Sequence, residues 1–125
     1  MNTSQLLALI LKQGGATIKP KSLELYTGQG FGVAVSKSYE RIIPLAGDSG
    51  DFQGAFNSTL TELRFLALSR GLYIGAWIDN GKLYLDLSEV VQGESYARHL
   101  GYMRKQLAIW DFTKMQSIDT SRRVG

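Results

Sequence analysis

The dipeptide Asn80-Gly81, set between two alternating segments, constrains this chain more than any other feature. Asn-Gly accepts the positive φ angles of a type I′ turn, whose twist matches that of paired strands. A two-residue loop fixes the register of Tyr73 to Asp79 against Lys82 to Ser88. Asp79 faces Lys82, Ile78 faces Leu83, Trp77 faces Tyr84, Ala76 faces Leu85, Gly75 faces Asp86 and Ile74 faces Leu87. One face then carries Ile74, Ala76, Ile78, Leu83, Leu85 and Leu87, and the other carries Tyr73, Trp77, Tyr84 and Asp86. A slip of one residue would destroy this separation.

The aliphatic face needs a cover, and the preceding segment supplies one. Phe56, Leu60, Leu63, Leu66 and Ala67 recur at helical spacing from Asp51, a possible cap, to about Arg70, and Gly71 ends the run. Asn2 to Lys12 forms a shorter amphipathic helix with Leu6, Leu7, Ile10 and Leu11 on one stripe, stopped by Gly14-Gly15. It is too short to be stable alone, so its stripe covers either its own domain or a neighbouring subunit. Strand candidates are Thr17 to Lys19, Ser22 to Tyr26, Gly32 to Lys37 and Tyr39 to Leu45, followed by a loop at Ala46 to Gly50. A further helix is expected over about Gly93 to Lys105, with Tyr96, Leu100 and Met103 inward, and a last strand over Leu107 to Phe112. Thr113 to Gly125 is polar and basic and is expected to fray. This order defines an α+β fold: a mostly antiparallel sheet packed with two or three helices, in a single domain over residues 1–125.

Composition narrows the function classes. A chain of 125 residues, 44% apolar and 20% charged, has the balance of one globular domain. The absence of cysteine excludes disulfides and thiolate metal sites, and fits a reducing compartment. The apolar run Leu6 to Leu11 is too short for a signal peptide and no basic residues precede it. No stretch approaches the roughly 20 apolar residues of a membrane span. A net charge of +3 and a pI near 9.3 favour anionic partners, but the basic residues are scattered, which argues against a nucleic-acid-coating protein.

Signals for catalysis or cofactors are weak. His99 is the only histidine and no serine motif accompanies it. Scattered carboxylates offer no metal-ligand spacing. Gly28-Gln29-Gly30-Phe31-Gly32 lacks the G-x-G-x-x-G spacing and precedes a strand rather than a helix, so it reads as a glycine-rich turn. Asp79 and Asp86 share the hairpin, but Asp79 sits at the turn beside Lys82. These features point to a binding protein that is not an enzyme and carries no cofactor.

The aromatic face of the hairpin stands out instead. Tyr73, Trp77 and Tyr84 must be covered by the protein's own elements, by a second subunit or by a ligand. Arg64, Arg98 and Arg104 offer bidentate partners for phosphate, and Gln106, Trp110 and Asp111 follow closely after Arg104. Rings that stack on a base, arginines for phosphate, and carboxylates or amides for sugar hydroxyls suit a nucleotide-like ligand.

The segments Gly75-Ala-Trp-Ile-Asp-Asn-Gly-Lys-Leu-Tyr-Leu-Asp-Leu-Ser-Glu-Val-Val91 and Gly101-Tyr-Met-Arg-Lys-Gln-Leu-Ala-Ile-Trp-Asp-Phe112 resemble the phage anti-defence sponges that counter the bacterial Thoeris system. The resemblance covers about the last half of the chain and rests on no catalytic motif. It implies a homo-oligomer, dimer or hexamer, that works in the bacterial host cytoplasm. Such a protein binds a cyclic ADP-ribose isomer, and in some members cyclic oligonucleotides, without cleaving it. It would carry ligand-binding roles onto Trp77, Tyr84, Asp86, Arg104, Gln106, Trp110 and Asp111. Two other functions compete: a phage inhibitor that binds a host defence protein through its aromatic face, and a small single-strand nucleic-acid binder whose rings stack on bases.

Overall fold

The computed structural model describes residues 1–45 and 49–120. The hairpin has the register that Asn80-Gly81 dictates. β4 (Tyr73–Asp79) pairs antiparallel with β5 (Lys82–Val91), from Asp79 opposite Lys82 to Tyr73 opposite Ser88. Asn80 and Gly81 take φ of 49° and 73°, the left-handed pair that a type I′ turn requires.

β5 is the hub of the sheet because both of its edges are occupied. Along one edge runs β4, and β1 (Gly15–Ile18) pairs with the far side of β4. The other edge is shared: β3 (Arg41–Pro44) pairs with residues 82–85 and β2 (Phe31–Ala34) with residues 88–91. β6 (Ala108–Asp111) adds to β2, and β7 (Gln116–Asp119) adds to β6. The order is β1-β4-β5-β2-β6-β7, with β3 beside β5, and every pairing is antiparallel. The fold is α+β, as the sequence order implies.

All helices lie on one face. α1 (Thr3–Gln13) and α2 (Ser49–Arg70) cover the aliphatic side of the hairpin. There Ile74, Ala76, Leu83, Leu85 and Leu87 pack with Leu6, Leu7, Ile10, Phe56, Leu60, Leu63 and Ala67. The α1 stripe therefore covers its own domain, with Leu11 turned to solvent. Asn2 and Gln5 form a reciprocal capping box at its start. α3 (Glu94–Met103) covers a smaller cluster of Val33, Ala97 and Ile109. Val33 pairs with Glu89, on the same strand face as Leu85 and Leu87, so the two clusters adjoin. Among the described residues no helix is long and apolar enough to cross a membrane.

Several expectations are corrected. Ser22 to Tyr26 is not a strand: Leu23 takes φ of 62°, the chain turns tightly after Pro20, and one bridge between Ile18 and Leu25 remains. Tyr39 belongs to a short 3-10 helix (Lys37–Tyr39) that precedes β3. Asp51 lies in the first turn of α2 instead of capping it. The loop expected at Ala46 to Gly50 lies largely outside the described residues, and α2 begins at Ser49. The inner stripe of α3 is Ala97, Leu100 and Gly101, while Tyr96 and Met103 are 57% and 61% exposed. The cause is a close approach: a Cβ on Gly101 would lie 2.8 Å from Thr120 Oγ1 and 2.9 Å from Ile109 Cγ2. The segment expected to fray instead forms β7 and a buried Thr120, and residues 121–125 lie outside the described part.

Candidate functional site

Among the described residues the other face of the sheet carries no helix. By strand alternation it presents Gly15 and Thr17 from β1, Gly75 and Trp77 from β4, Asp86 and Ser88 from β5, Gly32 and Ala34 from β2, and Trp110 from β6. Its centre is built from small residues, so the sheet curls until strands that are not neighbours meet across it. A Cβ on Gly15 would lie 3.1 Å from the Trp110 ring, and one on Gly32 would lie 3.0 Å from Thr17 Oγ1.

The curl encloses a chamber of about 30 Å³ lined by Thr17, Trp77, Asp86, Ser88, Gln106 and Trp110, among others. Near the Ser88 end, Tyr26 packs edge-on against Tyr73 and Phe112, with ring centroids 5.4 Å and 4.7 Å apart. A hollow of about 240 Å³ adjoins the chamber at its other end. Trp77, Asp79, Leu107, Ala108, Ser117 and Asp119 line this mouth. Trp77 and Tyr84 are half-buried beside it and stack on each other, 4.6 Å between centroids at 23°.

Asp86 is the chemically distinctive group. It is 5% exposed, and Ser88 Oγ donates to its Oδ1 at 2.6 Å. Burial pushes its carboxyl up to about 6; the Ser88 hydrogen bond works against that rise, and the charge of Glu40 adds to it. No lysine, arginine or histidine is among the residues that line the chamber. Gly75, directly opposite in register, makes room for the carboxylate, since a Cβ there would overlap Asp86 Oδ1 and Ser88 Oγ.

The structure therefore brings Trp77, Asp86, Gln106 and Trp110 together, with Tyr84 stacked on Trp77. It places the three arginines elsewhere. Arg64 clamps the carbonyls of Pro20 and Lys21 at 2.7 Å and 2.8 Å. Arg98 pairs with Glu94 one turn back on α3. Arg104 binds Glu89 and the Ala34 carbonyl at the helical side of the sheet. Asp111 faces away from the chamber and accepts from the Thr113 and Lys114 amides, shaping the turn into β7. The sequence reading missed Thr17, Ser88 and Gly75. The signal for Gly75 was available, since the hairpin register sets it opposite Asp86.

No protein-family model matches this chain, and no curated protein or solved structure does either.

Proposed function

We propose that this protein captures a small ring-bearing ligand on the helix-free face of its sheet and leaves it chemically intact. The observation that carries the proposal is the meeting of two tryptophans and a buried carboxylate around one chamber with an adjoining mouth. Asp86 is the single titratable side chain in the chamber lining, and its hydroxyl partner Ser88 has no histidine or lysine beside it in that lining, an arrangement suited to recognition. In the setting given by the resemblance to Thoeris anti-defence sponges, the ligand is a cyclic ADP-ribose isomer or a related cyclic nucleotide held away from its effector. Its base stacks on Trp77 at the mouth, while Asp86, Ser88 and Gln106 read donor groups. The phosphates stay outside the chamber, and a second copy of the chain, in a dimer or hexamer, supplies their cations.

Heat denaturation with and without cyclic ADP-ribose isomers, cyclic dinucleotides and oligonucleotides tests this reading. Ligand at ~100 times its dissociation constant stabilises the fold by about 2.7 kcal/mol and is recovered unmodified after boiling. Stabilisation by none of them, or recovery of a cleaved product, contradicts it.

One observation favours a second reading, inhibition of a host protein. Tyr102, Met103 and Leu107 are exposed around a hollow of about 430 Å³ beside Lys105. Apolar and aromatic side chains of this kind anchor protein interfaces. Loss of anti-defence activity in Met103→Asp, with ligand-induced stabilisation intact, would move the function to that surface.

A further inference from the structure

The chamber holds a buried negative charge with no counter-charge. The one hydrogen bond that Asp86 makes with the described residues comes from Ser88 Oγ to Oδ1. Among the described residues Oδ2 accepts no further hydrogen bond, and Asp86 lines the chamber. Gln106, 6% exposed, donates through Nε2 to the Arg104 carbonyl at 3.4 Å, which leaves Oε1 as a second acceptor. The lining adds two indoles, whose ring faces attract cations. Asp79, opposite Lys82, adds an acidic side chain at the mouth. This environment is wrong in sign for a phosphate and right for a nitrogen cation.

Resting on the reading of this face as a ligand site, we infer that the chamber receives a cationic nitrogen head, an ammonium or amidinium group, which a nucleotide supplies at pH 7.5 only when its base is alkylated at a ring nitrogen. Asp86 is its counter-ion, Gln106 Oε1 its second acceptor, and Trp77 and Trp110 its walls. The size agrees. A water needs about 10–15 Å³ on this measure, so a chamber of about 30 Å³ admits a small polar head and no ring. The body of the ligand then occupies the mouth of about 240 Å³ between Trp77 and Leu107. The inference sets which end of the ligand enters: the nitrogen end goes in and any phosphate stays out.

Calorimetric titration at pH 7.5 tests it. The probes are n-butylamine and benzamidine, their neutral counterparts butanol and benzamide, and inorganic pyrophosphate. The cations are expected to bind saturably, and the neutral probes and pyrophosphate at least ~10-fold more weakly, because a charged hydrogen-bonded pair outweighs a neutral one. Asp86→Asn, which keeps the shape of the side chain, is expected to lower cation affinity at least ~10-fold. A shift to pH 5, below the value of about 6 for Asp86, weakens binding about 10-fold as the carboxylate protonates. Other charged groups near Asp86 are Glu40, paired with Lys37, and, at the mouth, Asp79 opposite Lys82 and Asp119, itself engaged; Arg41 on the adjacent strand is engaged with Glu62. Glu40→Gln removes a charge that raises the Asp86 carboxyl and is therefore expected to move the pH step downward, whereas Asp86→Asn abolishes the step. Equal binding of cationic and neutral probes overturns the inference. So does binding of cyclic nucleotides that survives Asp86→Asn while the amines stay inert, and that result leaves the ligand-site reading standing. Failure of every probe and every nucleotide overturns both.

Discussion

Gly75 and Asp86 form the most informative residue pair in the molecule. They face each other across the hairpin, and the carboxylate occupies the space that a Cβ at position 75 would need. Gly75→Ala is expected to displace Asp86 and destabilise the fold by about 1–3 kcal/mol, measured by urea unfolding. Asp86 itself has a calculable pH signature. Its folded pKa of about 6 lies above the ordinary 3.8, so the folded state holds a proton that the unfolded chain has lost. Stability from this group is fully present below about pH 4 and declines as pH rises to about 6, for a total of about 3 kcal/mol. Asp86→Asn is therefore expected to be more stable than the parent at pH 7.5, with the difference vanishing near pH 4, as followed by thermal unfolding across that range. The sequence discloses Asp86 and Trp77 because they sit in a readable hairpin, and Gln106 and Trp110 because they follow Arg104 into the expected last strand. Ser88 was legible from strand alternation, two residues beyond Asp86 on the same face, but Thr17 was not, because β1 reaches β6 only through the curl of the whole sheet. The sequence also suggested convergence of Arg64, Arg98 and Arg104, which the folded chain engages separately.

At the scale of elements, legibility follows sequence distance. The β4–β5 hairpin and α2 could be read directly, since turn chemistry and periodicity are local signals. β7 could not. Gln116-Ser-Ile-Asp119 has a single apolar residue, and the strand exists because β6 offers it main-chain partners. α3 was oriented wrongly because bulky side chains outweigh glycine in a periodicity count. The helix in fact approaches β6 through Gly101. Gly101→Ala is expected to push α3 off Ile109 and Thr120 and to cost about 1–3 kcal/mol in chemical denaturation, despite the better helix propensity of alanine. A neutral or stabilising effect would show that the helix has room to move.

The whole molecule is a sheet with a solid helical side and a curled, bare side. The helical side supplies the apolar burial that holds the fold. The other side keeps a carboxylate, two indoles and several small residues around the chamber. Both tryptophans of the chain line the same chamber, so emission excited selectively from tryptophan reports on that site. The direct measurement is a fluorescence titration of the protein with a cyclic ADP-ribose isomer, with the ligand recovered at the end. The account predicts a saturating change in tryptophan emission that Asp86→Asn abolishes, and full recovery of intact ligand. Binding shown by calorimetry with no change in emission, or with the ligand consumed, would contradict it.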